Sequence, residues 1–191
     1  MELPKYLEVE QMLLLLEVSK RSEQNHLIIR VMLDGGLRAE EVANLKVEDL
    51  QLHKDPPEVL VHGKGRGGRK KQRKVHLSDT TKERLGGFLL KENRKLKDHV
   101  FISQRGPYTT TGIWYLVKKY GEKIGRPELH PHTLRHTCAV RLLDKGFDLV
   151  YIKDYLGHSK FDTTYSIYAQ YPSKSKREQF KQKGAPTDVD V

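Results

Sequence analysis

The sequence has one cysteine, one tryptophan and no long apolar run, and these shortages exclude whole classes of protein. Cys138 alone cannot form an internal disulfide, which argues against a disulfide-rich secreted scaffold and favours a reducing, cytoplasmic location. No stretch reaches the ~18 consecutive apolar residues that a membrane-spanning helix needs. We therefore expect neither a membrane protein nor a secretion signal.

The charge of the chain is strongly one-sided. Lysine and arginine number 35 against 25 acidic residues, which gives a formal net charge of +10. Solubility alone accounts for such an excess in many proteins, whereas clustered charges indicate a polyanionic partner. The 191 residues, 37% of them hydrophobic, still suffice for one domain with a buried core.

Apolar residues recur mainly at helical spacing along the chain. The pattern predicts helices over residues 8–20, 24–34, 79–95, 110–124, 131–146 and 147–157, with further ones from about residue 162 and over 174–183. Trp114, Leu116 and Val117 are predicted core residues of the helix over 110–124. The stretch EVLVHGK alternates like a strand, and a second strand ends at Leu77. The predicted fold is mainly α with a small antiparallel β-sheet near residues 48–77, an α+β class.

A basic, glycine-rich turn joins the two predicted strands. Residues 64–74 hold seven lysines or arginines and three glycines. A solvated loop explains this composition, but so does contact with DNA phosphates, because glycines let the backbone approach closely and the charges release counterions. The predicted contacts with double-stranded DNA are Arg66, Arg69, Lys70, Lys71, Arg73 and Lys74.

Several polar residues stand where predicted elements begin or end. Arg38 follows Gly-Gly-Leu, Glu41 lies one turn later, and Lys64 lies in HGKG. His132 and Arg135 are three apart, so one helical face carries both. Each has an ordinary reading as a surface pair, a helix cap or a core residue. The full order carries more weight: Arg38, Lys64, His132, Arg135, His158, Tyr168.

This order resembles the tyrosine recombinases, the family of phage integrases and Xer-type recombinases. GGLRAEEVANL looks like the first conserved box of that family, HPHTLRHTCAVRLLDKG is similar to the second, and YLGHSKFDTTYSIYAQY resembles the box that carries the nucleophile. The similarity runs from about Leu3 to Tyr171. It implies the family's catalytic-domain fold and a DNA strand-exchange reaction that uses neither a metal nor ATP.

The resemblance also implies a role for each residue. Tyr168 is the expected nucleophile, since it follows His158 by ten residues, whereas Tyr165 and Tyr171 are interpreted as packing residues. The expected roles of the remaining residues are phosphate binding for Arg38, Arg135 and His158, general acid for Lys64, proton acceptor for His132 and support of the arginine site for Glu41. At position 170, where the family often has a histidine, this chain has a glutamine.

The resemblance further implies a domain organisation. We expect a catalytic domain over residues 1–172, a tail over 173–191, and no N-terminal core-binding domain, so that DNA affinity is weak. Other protomers on DNA, in a tetrameric synapse, are the expected protein partners. Two alternatives remain at this point: a DNA-binding module without strand exchange, and a type IB topoisomerase-like relaxing enzyme.

Overall fold

The computed structural model describes residues 6–64 and 70–157, with only the backbone of Lys64, Lys70 and Lys71. Within those ranges lie seven α-helices, one 3₁₀ turn (Val47–Asp49) and five strands. The helices are α1 (Val9–Ser19), α2 (Glu23–Gly35), α3 (Ala39–Ala43), α4 (Asp79–Lys91), α5 (Thr110–Lys123), α6 (Pro131–Asp144) and α7 (Leu149–Leu156). The strands are β1 (Leu50–Gln51), β2 (Glu58–Lys64), β3 (Lys70–His76), β4 (Ile102–Ser103) and β5 (Gly106–Pro107).

Helix α2 lies at the centre of the core, with α1, α4 and α6 packed around it. Its residues Leu27, Ile28, Val31 and Met32 are fully buried, so the helix is apolar on more than one side. Gly36 caps its C-terminus, and the φ of +59° at this residue suits glycine and turns the chain directly towards α3. The central helix thereby delivers the first predicted site residue to the edge of the core.

Strands β1, β2 and β3 form one antiparallel sheet in that order. Val59 pairs with Val75, and both are buried because alternate residues of each strand face the core. On the opposite face, His62 is bonded through Nε2 to Asp49 Oδ1 at 2.7 Å and through Nδ1 to the Gln72 amide at 3.2 Å. This sheet, which packs against α7 through β3, carries the hairpin predicted to contact DNA.

The fold class expected from the sequence is confirmed: the protein is mainly helical with small antiparallel sheets. Helix α4 is shorter than predicted, because the chain turns after Lys91 and Asn93 takes a φ of +50°. The helices predicted from residue 162 and over 174–183 lie outside the described residues. Within the described ranges, no helix is long and apolar enough to cross a bilayer.

The prediction that Trp114 is a core residue is wrong, since 40% of it is exposed. Helix α5 instead buries Ile113, Leu116, Val117 and Tyr120, which follow the i, i+3, i+4, i+7 spacing of one helical face. Trp114 lies beside that face, where its ring contacts the edge of Tyr115.

Candidate active site

The C-terminal end of α7 brings together arginines that are far apart in the sequence. The last carbonyl groups of a helix have no partner within the helix and carry its partial negative charge, so they attract cations. Three consecutive carbonyl oxygens here each accept a hydrogen bond from a different arginine: Tyr155 O from Arg73 Nε (2.9 Å), Leu156 O from Arg135 Nη2, and Gly157 O from Arg38 Nη2 (3.2 Å).

Arg38 is held from both its backbone and its side chain. It caps the N-terminus of α3, where its N–H donates to Glu41 Oε2 at 2.7 Å. Its Nη1 donates to Glu41 Oε1 at 3.0 Å. The side chain is still 37% exposed, so part of the guanidinium is accessible to a ligand from solvent.

Glu41 is a buried carboxylate between two arginines. Arg73 donates from Nη1 to Oε1 at 2.6 Å and from Nη2 to Oε2 at 2.8 Å, a bidentate pair. Burial alone would raise the pKa of Glu41, but the hydrogen bonds and charges of Arg73 and Arg38 outweigh it and lower the pKa below its ordinary value. Glu41 is therefore ionised at neutral pH and orients both guanidinium groups.

Arg135 approaches the same place from α6, which begins at Pro131 in the first helical position. Its Nη1 donates to Gly36 O at 2.6 Å, so it joins the end of α2 to the end of α7. Burial, reinforced by the charges of Arg38 and Arg73, lowers the pKa of Arg135 to about 9. The group stays protonated at neutral pH, and its burial with like charges suits a site that receives an anion.

His132 lies one turn before Arg135 on the same helix. Its ring makes an edge contact with His130, with centroids 6.1 Å apart, and the residue is exposed at the surface. Partial loss of water around the ring, followed by the positive charges of His130, Arg135 and Arg38, lowers the pKa of His132. The imidazole is consequently neutral at pH 7, so one of its ring nitrogens carries no proton and can accept one.

Arg73 lies in a different place from the surface position predicted for it as a DNA contact. It pairs across the sheet with Val61, which is buried, and its own side chain is only 9% exposed. Its hydrogen bonds go to Glu41 and to the end of α7. The prediction for Arg73 is thus corrected, because all three nitrogens of its guanidinium donate to groups of the protein itself, two of them to the Glu41 carboxylate. The next residue, Lys74, is 56% exposed and lies 3.5 Å from Glu58.

Comparison with known proteins identifies the family. The model of the phage integrase family matches residues 5–174. The chain belongs to this family. A tyrosine recombinase of Pseudothermotoga lettingae is 35% identical over 176 residues, covering 91% of the chain and 59% of that protein. Tyrosine recombinase XerC of Bacillus licheniformis is 36% identical over 175 residues (85% and 56%), and XerA of Pyrococcus horikoshii is 34% identical over 159 residues (81% and 53%).

Solved structures agree with this membership in the phage integrase family. The crystal structure of XerA recombinase superposes with a TM-score of 0.81 at 28% identity, covering 97% of this chain and 67% of that one. XerH in a pre-cleavage complex with its difH substrate gives 0.73 at 25% identity, covering 94% and 54%. The chain spans less than two thirds of the length of each of the three curated relatives named above.

Not every residue predicted for the family's site is described. His158 and Tyr168, with Arg66 and Arg69 of the hairpin, lie outside the described residues. For Lys64 the backbone is described: it ends β2, opposite Lys70. The structure thus brings Arg38, Glu41 and Arg135 into one cluster, and the roles of Lys64, His158 and Tyr168 stay predictions.

Two further side chains near the candidate active site, those of Tyr155 and Cys138, have structural roles. The Tyr155 hydroxyl lies 3.0 Å from Asp34 O, His76 O and His76 N, and burial raises the pKa of Tyr155 well above its ordinary value. Burial also raises the pKa of the Cys138 thiol to about 12. Neither is suited to nucleophilic attack. Over residues 6–64 and 70–157, no group of three or more His, Cys, Asp or Glu side chains is placed to hold a metal ion.

Proposed function

We propose that this chain is the catalytic part of a site-specific DNA recombinase that cleaves and rejoins strands through a 3′-phosphotyrosine intermediate. The observation that carries the proposal is the convergence of Arg38 and Arg135 at the end of α7, directly before His158. Two guanidinium groups that are both charged at pH 7 and lie at one point suit the two non-bridging oxygens of a phosphodiester. Membership in the phage integrase family supports the same reaction class.

In the proposed reaction, the Tyr168 oxygen attacks the phosphorus in line with the bond to the 5′ oxygen. A bond forms between tyrosine oxygen and phosphorus, the bond to the 5′ oxygen breaks, and a free 5′-hydroxyl leaves. A second 5′-hydroxyl then attacks the 3′-phosphotyrosine and restores both the DNA backbone and the tyrosine. Each step exchanges one phosphoester for another, so bond energy is conserved and ATP is not required.

Arg38 and Arg135 stabilise the negative charge that builds up on the non-bridging oxygens, with His158 as a further hydrogen-bond donor. Removing one such preorganised donor typically costs about 100-fold in rate. Glu41 supports Arg38, since its ionised carboxylate accepts hydrogen bonds from both the backbone and the side chain of that arginine. In this proposal the arginines, rather than a metal ion, supply the positive charge.

Two protons move in each cleavage. Tyrosine has an ordinary pKa of about 10, so its proton needs an acceptor, and the 5′ oxygen needs a proton as it leaves. His132 is the proposed acceptor, which its lowered pKa supports because the ring is neutral at pH 7. Lys64 is the proposed donor. Arg66, Arg69, Lys70, Lys71 and the exposed Lys74 are proposed to contact double-stranded DNA.

The proposed setting is a tetrameric synapse of protomers on two duplexes in the cytoplasm, associated with the nucleoid. Curated relatives include bacterial and archaeal recombinases, which supports the cytoplasmic part of this proposal.

A denaturing gel tests the proposed function. The protein is incubated with a pool of nicked duplexes whose cleavage releases a short fragment, so that the covalent product accumulates. Wild type and Tyr165→Phe should give a DNA-linked band, and Tyr168→Phe should give none. Duplex binding without a band from any protein would favour a DNA-binding module. Relaxation of supercoiled plasmid by a lone protomer would favour a topoisomerase.

A further inference from the structure

We infer that Arg73 is a positioning residue of the candidate active site, acting on Arg38 through Glu41. This inference rests on the proposed function and gives Arg73 a part in it other than DNA contact. The two nitrogens of its fork bind the two oxygens of Glu41, at 2.6 and 2.8 Å, while the same carboxylate binds Arg38. The order of contact is Arg73 to Glu41 to Arg38, so the orientation of Arg38 depends on a residue whose own guanidinium nitrogens all bind the protein.

Arg73 also fixes the end of α7 against the sheet. Its Nε donates to Tyr155 O, and its aliphatic part lies against Gly157, where an added Cβ would be 3.0 Å from Arg73 Cδ. Gly157 has a φ of +69°, so glycine is needed there for both conformation and space. The same guanidinium therefore sets the carboxylate behind Arg38 and the exit of the chain towards His158.

Charge alone does not explain this arrangement. Arg73 adds a third cation beside Arg38 and Arg135 and contributes to the lowered pKa of Arg135. Its side chain is 9% exposed and that of Glu41 is 5% exposed, so the two opposite charges compensate each other where little water reaches them. A lysine keeps the charge but not the fork, because an ammonium group cannot bind both carboxylate oxygens in one plane.

Arg73→Lys and Arg73→Gln test the inference with the nicked duplex that gives the strongest band with wild type. At saturating DNA, both variants should form the covalent complex about 10- to 100-fold more slowly, because small displacements of a catalytic group have effects of that size. DNA affinity and its salt dependence should stay as in wild type. In contrast, Lys74→Ala should reduce the salt dependence of binding by about one phosphate contact. Arg84→Gln, which breaks a more exposed arginine–glutamate pair between α4 and Glu23 of α2, is the control and should leave the rate of covalent-complex formation unchanged.

A duplex with a methylphosphonate at the cleaved position separates positioning from general loss of structure. In a methylphosphonate, a neutral methyl group replaces one non-bridging oxygen, so Arg38 has less negative charge to stabilise. The ratio of the cleavage rates of wild type and Arg73→Lys should therefore shrink by about tenfold. An equal ratio on both duplexes, or a loss of affinity without a loss of cleavage rate, would overturn the inference. If wild type forms the complex and Arg73→Lys matches it, only this inference falls. If wild type forms none, the proposed function falls with it.

Discussion

Arg38 and Arg135 bind consecutive carbonyl oxygens of one helix end, Gly157 O and Leu156 O, although 97 residues separate them in the sequence. The C-terminus of α7 therefore fixes the positions of both guanidinium groups. Any change that shifts this helix end is expected to move both arginines together, so packing around it should affect the reaction as strongly as the arginines' own neighbours do.

Glu41→Gln should destabilise the fold in a pH-dependent manner. The folded state lowers the pKa of Glu41, so its contribution is complete above about pH 4.5 and is lost as the pH falls through the lower folded value. At pH 7 the free energy of unfolding should drop by about 3 kcal/mol, because two arginines lose their buried counter-ion. Urea unfolding at a series of pH values measures this difference, which should shrink below about pH 4.5.

Glu48→Gln is the control for that series. Glu48 is 46% exposed and lies 3.8 Å from Lys46, so its replacement should change stability by no more than about 0.5 kcal/mol. A difference between wild type and Glu41→Gln that stayed constant at low pH would show that the Glu41 charge is not the cause.

Gly36→Ala should lower the stability of the fold and displace Arg135. A Cβ there would collide with the Leu156 side chain and lie 3.3 Å from Cys138 Sγ, at a φ of +59°. The expected loss is about 2 kcal/mol or more of stability, with slower cleavage because Gly36 O is an acceptor of Arg135. In the control Gly86→Ala, the added methyl group meets nothing within 4 Å, and thermal unfolding should show unchanged or slightly increased stability.

His132 should give the cleavage rate a characteristic pH dependence. A proton acceptor works when neutral, and the pKa of His132 is lowered from 6.5, so the rate should fall only as the pH drops below about 6.5. Single-turnover cleavage measured against pH should lose this inflection in His132→Gln. His53, which is exposed in a turn, serves as the control, and His53→Gln should keep the inflection. An unchanged inflection in His132→Gln would assign it to another group.

The sequence predicted the fold class because its helices carry clear apolar spacing and glycine stops. The prediction for Arg73 was wrong because a run of basic residues was taken to be exposed throughout. Strand alternation instead puts Arg73 on the same face of the sheet as the buried Val75. That alternation was the available signal. The hydrogen bonds of three arginines to one helix end could not be predicted, because they depend on how β3, α3 and α6 pack around α7.

The proposed phosphotyrosine intermediate is tested most directly by identifying the residue that becomes linked to DNA. The covalent complex is trapped on a nicked duplex, digested with protease and nuclease, and the modified peptide is sequenced by mass spectrometry. We expect a nucleotide joined through its 3′ phosphate to Tyr168. A nucleotide on Tyr165 or Tyr171, or a linkage through a 5′ phosphate, would contradict it.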